Sequence, residues 1–571
     1  MTTDCLIIGF NDDDFPKTVE MIRGNDESSG AYRDINLAFI ELDGREQRAM
    51  DVLNRVNGTT DSPLHNADFV WPVVLYLSSY LNARGFTSDY INLFHLHKEA
   101  LRAKLEAGDI RSVAITTTLY VSPQPIIEIV SFIRQWNKDV KIIIGGPYIA
   151  GQATMMDDQS LGQLFSYLEG DFYVIGAEGE AALVDILEGL CGDGDFAGMA
   201  NVAYQGDDGF IINERQVEAN PLEDNPVDYG LFPKQEIGEF LSIRTAKSCP
   251  FACAFCGFPD RAGKYKYLKL DMVERELDAI AAIGTVTTLT FLDDTFNVPK
   301  RRFREIMRLM IDKGYGFKWN SFYRSDHGDA ETIRLMGEAG CEGVFLGAES
   351  GSDTILELMN KTSRRDDYIT AIDQFRQNGI LTHANLLVGF PGETARTVTE
   401  TVSFIEEARP DFYRAQLWYC DPITPIWQRR EEFGLRDFAF NWSHDTLDFR
   451  AASGHVEEMF LSISNSLWLP QQGFEVWSLF YLQRKGFSLA QIKGFVGAFN
   501  DAIRERLIKP DVSTPSAPII ENLHRWGKIQ ACEDLPGAGE NAPLYDPKTF
   551  VLRSQQESRL RSQDEHEEFQ F

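Results

Sequence analysis

The stretch SCPFACAFCG, residues 248–257, places Cys249, Cys253 and Cys256 within eight positions of one another in a chain of 571 residues that has eight cysteines in all. A closed structural zinc site takes four ligands, usually as two separated pairs. A disulfide framework takes an even number of cysteines in a small secreted chain. Three thiols on one short loop meet neither requirement. They suit a metal cluster that keeps one coordination position open, provided the surrounding sequence builds a scaffold that holds such a loop.

The scaffold is legible on both sides of the loop. From Phe240 the sequence alternates strand and helix: FLSIRTAKSC, VTTLTFLDDTFNV, FKWNSFYRSD, CEGVFLGAESG, ILTHANLLVGFPGET and DFYRAQLWYCDP, each separated by a helix-length segment. Six such units predict a partial parallel barrel, (β/α)6, with active groups on the loops after the strands. The three cysteines follow the first strand, where a catalytic loop belongs.

The first two hundred residues carry a second βα series. DCLIIGF (Asp4–Phe10), SDYINLF, SVAITTTL, VKIIIGG and DFYVIGAEG read as buried strands. WPVVLYLSSYLNARG (Trp71–Gly85) reads as an amphipathic helix ended by glycine, a second helix lies near Lys98–Ala107, and IIEIVSFIRQW places Ile126, Val130 and Ile133 on one helical face. The segment from Phe10 to about Asp68 reads as an irregular, polar insertion. Strands and helices in this order predict a doubly wound parallel, Rossmann-like sheet. Ligands of such sheets lie beyond the carboxyl ends of the strands. Here those ends carry Thr116, Thr117 and Thr118, then Gly145–Gly151, then Gly176–Glu180, small residues that let a large flat or phosphate-bearing ligand approach the backbone. Tight βα turns are the plainer reading of any one of them.

MANVAYQGDDGFIINE reads as a hairpin and NPLEDNPVDYGLFP as a proline-rich connector. From about Asp445 the strand pattern gives way to apolar residues at helical spacing, which predicts a helical cap over the barrel mouth; its Trp468, Trp477 and Tyr481 either line a cavity or form core. The expected organisation is a Rossmann-like domain at 1–200, a hairpin and linker at 201–239, a partial barrel at 240–440, and a helical cap with a polar tail at 441–571.

Composition excludes other classes. A net charge of −31 argues against broad nucleic-acid binding. RAGKYKYLK (Arg261–Lys269) is a local basic patch, read as a solvated or anion-facing loop. The opening MTTDCLIIGFNDDDF has no basic region before its short apolar run, so it reads as a strand, and no apolar stretch has spanning length. The expected location is the cytoplasm, without membrane partners, where clustered thiols serve metals more than disulfides.

The spacing Cys249-x3-Cys253-x2-Cys256, with Phe255 before the last cysteine, resembles the radical S-adenosylmethionine (radical SAM) enzymes. FLDDTF (Phe291–Phe296), GAESG (Gly347–Gly351) and VGFPGET (Val388–Thr394) resemble that family's later strand motifs. The resemblance implies a [4Fe–4S] cluster on the three thiolates, with SAM on the fourth iron. GGPY and IGAEGE in the preceding sheet resemble the cobalamin-binding domain of the B12-dependent subfamily. The chain lacks a D-x-H-x-x-G motif, and HLHK (His95–Lys98) does not supply one, so cobalamin is expected without a protein histidine on cobalt. DCLIIGFNDDDF, TAKSCPFACAFCGFPDRAGKY and PQQGFEVWSLFYLQRKGFSLAQIKGFVGAFN look most like PhpK-type P-methyltransferases.

These likenesses imply a methyltransferase for an unactivated carbon or a phosphinate phosphorus in natural-product biosynthesis. The alternatives are a cobalamin-dependent rearrangement or ring contraction without methyl transfer, and a non-catalytic Fe–S or corrinoid-binding protein. A small-molecule or peptide substrate and an electron donor such as flavodoxin or ferredoxin are the implied partners. Asp293 and Asp294 look like acceptors for the SAM ammonium, or a solvated turn. Glu349 would hold ribose hydroxyls. Arg324 would meet the SAM carboxylate, an anionic substrate or a strand-end ion-pair partner. Thr116, Thr117, Thr118, Tyr120, Gly145, Gly146, Pro147, Tyr148, Gly176 and Glu178 are the implied cobalamin contacts. His383, Tyr413, Tyr419 and Cys420 either face ligand or pack in the core; Cys341 reads as core; Cys5, Cys191 and Cys532 have no partner pattern.

Overall fold

Cys5, Leu6, Ile7 and Ile8 have no exposed surface. An uninterrupted apolar run of this kind is buried on both faces, as in the centre of a parallel sheet. In the computed structural model, which describes residues 2–529 apart from 13, 60–62, 193, 219 and 510–513, this run is the strand β1 (Thr3–Phe10). Cys532 and the tail after Lys548 lie outside the described residues. The chain divides into two compact units: Met1–Asp14 with Ala67–Pro250 and Phe258–Thr285, and Phe15–Asn66 with Phe251–Gly257 and the chain from Val286 onward.

In the first unit β1 pairs in parallel with β2 (Ser88–Leu93) on one side and β3 (Ile110–Thr116) on the other, Ile7 lying opposite both Tyr90 and Ala114. With β4 (Lys141–Gly145) and β5 (Phe172–Val174) the order is β2-β1-β3-β4-β5. The strand order therefore reverses at β1/β3, and the crevice beyond the carboxyl ends at that point is where such sheets take ligands. The helix Gln124–Trp136 buries Ile126, Ile129, Val130 and Ile133. The expected hairpin forms as β6 (Val202–Gly206) and β7 (Gly209–Ile212), which extend the sheet antiparallel from β5.

In the second unit β8 (Thr288–Phe291), β9 (Lys318–Tyr323), β10 (Cys341–Glu349), β11 (Leu381–Val388) and β12 (Phe412–Leu417) lie parallel and in sequence order. A further strand, β13 (Leu467–Trp468), pairs with β12. That strand lies in the region read as purely helical; two residues are too short to carry an alternation. The segment read as an irregular insertion is also ordered. It forms the helices Phe15–Asn25, Gly30–Ile35 and Ala49–Asn57 and the antiparallel pair Phe39–Leu42 with Arg45–Arg48. Phe15, Val19, Ile35, Ala38 and Phe39 make its apolar cluster. Charged residues lie between these apolar positions in the sequence and interrupt the pattern.

Below the sheet the helix Ser478–Arg484 reaches the early turns of β8 and β10. Phe480 stands where a Cβ on Gly343 would come 2.3 Å from its ring, and its centroid lies 6.2 Å from that of Phe345. Arg484 donates to Thr288 Oγ1 at 2.5 Å and pairs with Glu342, both ionic side chains being 2% exposed. Trp468 and Tyr481 are buried, which resolves them as core, and Trp477 donates to the Asn66 carbonyl at 2.9 Å. Among the described residues no helix is long and apolar enough to cross a membrane.

Arg484→Leu strands the Glu342 carboxylate. Loss of one partner of a buried pair costs about 3–5 kcal/mol, so the urea midpoint of the variant is expected to fall with little change in slope. A midpoint equal to that of the unaltered protein would show that the pair carries no such weight.

Candidate active site

The cysteine loop rises from a short stem in the first unit. Ala246–Lys247 pairs antiparallel with Lys266–Tyr267, so the basic patch read from the sequence runs back beside the stem. Ser248 adopts a left-handed φ of 66°, and its hydroxyl donates to the Gly263 carbonyl at 2.6 Å. Cys249 lies in the Ala67–Pro250 stretch of this unit, one residue from its end.

Phe251–Gly257, in the second unit, is fastened through its backbone. The Ala254 amide donates to the Met359 carbonyl and the Ala254 carbonyl accepts from the Ile426 amide, both at 2.9 Å. The Asn360 amide group donates to the Ala252 carbonyl at 2.7 Å, and the Cys256 amide donates to the Cys253 carbonyl at 3.1 Å. Cys249, Cys253 and Cys256 form no disulfide; Cys253 is buried and Cys256 partly exposed. Three thiols without a disulfide, on a loop pinned by backbone bonds at Ala252, Ala254 and Cys256, fit the donor set of an iron–sulfur cluster, for which thiolate sulfur is the protein ligand.

Two ion pairs flank this part of the loop. Arg324, following β9, lies 3.6 Å over the Phe251 ring, makes two hydrogen bonds to Asp326 at 3.2 and 3.1 Å, and donates to Thr362 at 3.0 Å. Its Nη1 lies 4.0 Å from Cys253 Sγ. Burial alone would raise the Asp326 carboxyl, but the hydrogen bonds from Arg324 and Thr362 and the charge of Arg324 outweigh it and hold the group at about 2. Lys361 pairs with Glu349 at 3.5 Å, donates to the Gly347 carbonyl, and lies 6.0 Å from the centre of the Phe255 ring. Burial works against its charge, while Tyr368, Glu349 and Cys253 raise its pKa above the ordinary lysine value. Asp326, Lys361 and Thr362 were not singled out from the sequence; Asp326 follows Arg324 by two positions, whereas Lys361 and Thr362 have no such signal and arrive through the fold.

The other motif residues divide between recess and core. Asp293 is buried beside Asp294. Asp294 has surface open to solvent, yet the protein packed around it and the adjacent Asp293 raise its carboxyl to about 7. In GAESG, Glu349 takes a left-handed φ of 65°, burial raises its carboxyl, and Lys361 works against the rise. VGFPGET is a closed turn: buried Glu393 accepts from the Gly389 amide, and its carboxyl is pushed up to about 8 by burial. His383, Tyr413 and Cys420 are buried, whereas Tyr419 is half exposed. Cys341 is buried at the start of β10, as expected for core.

In the first unit two of the three strand-end loops interlock. The Thr117 amide and hydroxyl both donate to the Gly145 carbonyl, at 2.9 and 3.0 Å, and the Tyr148 amide donates to Thr117 Oγ1 at 3.2 Å. Gly146 has a φ of 112°, and a Cβ there would meet Thr117 at 2.9 Å, so only glycine fits. Thr116 is turned inward to the Ile8 carbonyl at 3.0 Å, and Tyr120 is a buried support whose oxygen accepts from the Asn11 amide at 2.8 Å. Gly176 is buried, Pro147 exposed, and Glu178 pairs with Lys247 on the cysteine-loop stem. Thr118, Gly145 and Tyr148 keep accessible surface, and beside them Leu119 and Val121 are 59% and 93% exposed. These two side chains form a small apolar rim at the strand ends. The His95 imidazole, which accepts from the Asp12 amide at 3.1 Å, stands after β2.

Residues 243–405 match the Radical SAM superfamily. The chain carries a radical SAM domain. Over 329 residues, 56% of this chain and 69% of the relative, it is 25% identical to an uncharacterized methyltransferase of Pyrococcus horikoshii. Its fold is that of two solved radical SAM enzymes. The methyltransferase TsrM of Kitasatospora setae, solved with cobalamin and a [4Fe–4S] cluster, matches with a TM-score of 0.55 and 18% identity over 77% of this chain and 97% of TsrM. The cobalamin-dependent radical SAM enzyme OxsB, solved with aqua-cobalamin, matches with a TM-score of 0.55 and 13% identity over 86% of this chain and 76% of OxsB. The radical SAM domain thus includes Asp293, Asp294, Arg324, Glu349 and the three cysteines.

A carboxyl raised from 3.8 to about 7 in the folded radical SAM domain binds more protons than in the unfolded chain between those values, so it lowers stability as pH rises through that window. Asp294→Asn removes this contribution. The difference in melting temperature between Asp294→Asn and the unaltered protein is expected to grow in favour of the variant from pH 4 to pH 7 and then level off; a difference independent of pH would contradict the raised carboxyl.

Proposed function

We propose that this chain is a cobalamin-dependent radical SAM methyltransferase acting on a small molecule, with an unactivated carbon or a phosphinate phosphorus as methyl acceptor. The observation that carries the reading is the loop of three unoxidised thiols, pinned through Ala252 and Ala254, within a segment that matches the Radical SAM superfamily. The interlocked strand-end loops of a sheet ordered β2-β1-β3-β4-β5 support the cobalamin part, as does the likeness to structures solved with cobalamin. The likeness to a methyltransferase, and TsrM having been solved with tryptophan as substrate, support methyl transfer to a small molecule. The PhpK-like stretches favour phosphorus as the acceptor and a place in natural-product biosynthesis.

In this reading Cys249, Cys253 and Cys256 hold the cluster, and Phe255 and Lys361 close one side of the loop. When bound, the cluster supplies an electron to the sulfonium of SAM, and cobalamin carries the methyl group. Asp293 and Asp294 accept hydrogen bonds from the SAM ammonium, and a cation there draws the Asp294 proton off. Glu349, oriented by Lys361, receives ribose hydroxyls. Thr118, Gly145, Tyr148 and the exposed Leu119 and Val121 form the surface for the corrin, which Thr116, Thr117, Tyr120 and Gly146 hold in shape; Glu178 ties that surface to Lys247. The proposed domain roles are cobalamin at 1–200, a hairpin and linker at 201–239, SAM and cluster at 240–440, and a helical cap with a polar tail at 441–571. A flavodoxin or ferredoxin in the cytoplasm would supply electrons.

Anaerobically reconstituted protein is expected to hold about four irons per chain. Changing Cys249, Cys253 and Cys256 together to Ala should abolish both iron binding and reductive SAM cleavage, whereas Cys341→Ala should leave iron unchanged. Full iron content in the triple variant would refute the cluster assignment. A product heavier than its phosphinate or carbon precursor by one methyl group is the test of transfer; a rearranged product of unchanged mass would point to the alternative chemistry.

The same protein is expected to bind about one hydroxocobalamin, with no protein-nitrogen coupling to cobalt in the electron paramagnetic resonance spectrum of cob(II)alamin. Gly146→Val should weaken that binding by forcing Thr117 aside while leaving iron content intact. Nitrogen coupling would place a histidine on cobalt, and an absence of cobalamin binding would remove the methyltransferase reading.

A further inference from the structure

Arg324 is held more tightly than substrate capture requires. Its backbone is fixed from both sides by Asn297, whose carbonyl oxygen accepts from the Arg324 amide at 3.0 Å and whose amide group donates to the Arg324 carbonyl at 2.8 Å. Its guanidinium is stacked on Phe251, and Nε and Nη2 are committed to Asp326 and Thr362. Asp326 is itself bonded by Thr362. Nη1 is the group that meets Cys253 Sγ, at 4.0 Å. The aromatic ring also meets His327 edge-on, with centroids 5.2 Å apart. Side-chain exposures of 11% and 12% for Arg324 and Asp326 leave little water to screen either charge.

We infer that the Arg324–Asp326 pair is a positioning device for charge: it presents the Arg324 guanidinium to the Cys253 sulfur, and so sets how readily the cluster on this loop accepts an electron. The inference rests on the cluster proposed above. Uptake of one electron from an external low-potential reductant adds one negative charge to the cluster and its thiolates. A fixed cation and N–H groups beside the sulfur favour the reduced state, and hydrogen bonds to sulfur and net charge are the terms by which proteins tune such potentials. Asp326 carries the opposite charge and holds the guanidinium in place. Arg324 therefore acts on the cluster through Cys253.

The two ends of the pair make opposite predictions. In the reconstituted full-length protein, titrated with dithionite and followed by electron paramagnetic resonance without SAM, Arg324→Gln is expected to lower the midpoint potential and Asp326→Asn to raise it. Arg324→Lys, which keeps the charge, should lie between Arg324→Gln and the unaltered protein. Opposed shifts at equal iron content support the inference. Equal potentials in all variants, or shifts of the same sign, overturn it. Loss of iron in both Arg324→Gln and Asp326→Asn would also overturn it by assigning the pair a purely structural role. If the unaltered protein takes up no iron, the proposed cluster fails first, which separates that failure from failure of the charge device.

Discussion

Both peptide groups that flank Ala254 are spoken for: its amide by the carbonyl of Met359 and its carbonyl by the amide of Ile426. The loop residue is thereby tied to the end of the helix Asp353–Leu358 and to the short helix Pro425–Gln428. A loop this rich in small residues would otherwise sample many conformations, at a backbone cost of about 1–2 kcal/mol for each residue fixed. Backbone bonding offsets that cost without using a side chain. The cysteines are then left to the chemistry, and every other feature of the site is arranged around the position this one residue holds.

Charge follows from that position. Taking cations and carboxylates out of water is expensive unless each is paired and hydrogen-bonded. Arg324 with Asp326 and Lys361 with Glu349 meet that condition. Arg324 faces the Cys253 sulfur and Lys361 the Phe255 ring. Asp293 and Asp294 differ in kind: burial first, and then the neighbouring Asp293 carboxyl, raise the Asp294 carboxyl toward neutrality.

The first unit uses a different principle. A parallel sheet leaves its carboxyl-end loops to be shaped by one another, and here Thr117 bonds to Gly145 while Tyr148 bonds back to Thr117. The arrangement joins two separate turns, with apolar Leu119 and Val121 left facing solvent beside them. Thr116 and Tyr120 point inward, and Glu178 is engaged with Lys247.

Local pattern was sufficient for the strands, the helices and the three thiols, because period and spacing act over a few residues and burial of branched apolar side chains leaves a continuous run in the sequence. The doubly wound sheet, the βα series and the GDDG hairpin were legible for that reason. Long-range pairings were not. The ordered segment between Phe15 and Asn57 was hidden by charged residues interspersed among its apolar ones, and β13 by its two-residue length. Lys361 comes to Glu349, and Thr362 to Arg324 and Asp326, only after intervening helices have folded back, and no spacing rule announces such meetings. Likewise, a sequence shows that Glu178, Thr116 and Tyr120 occupy strand ends, while only the packed structure decides which side chains turn toward a ligand and which turn inward, because that choice depends on the hydrogen-bond partners offered by neighbouring strands.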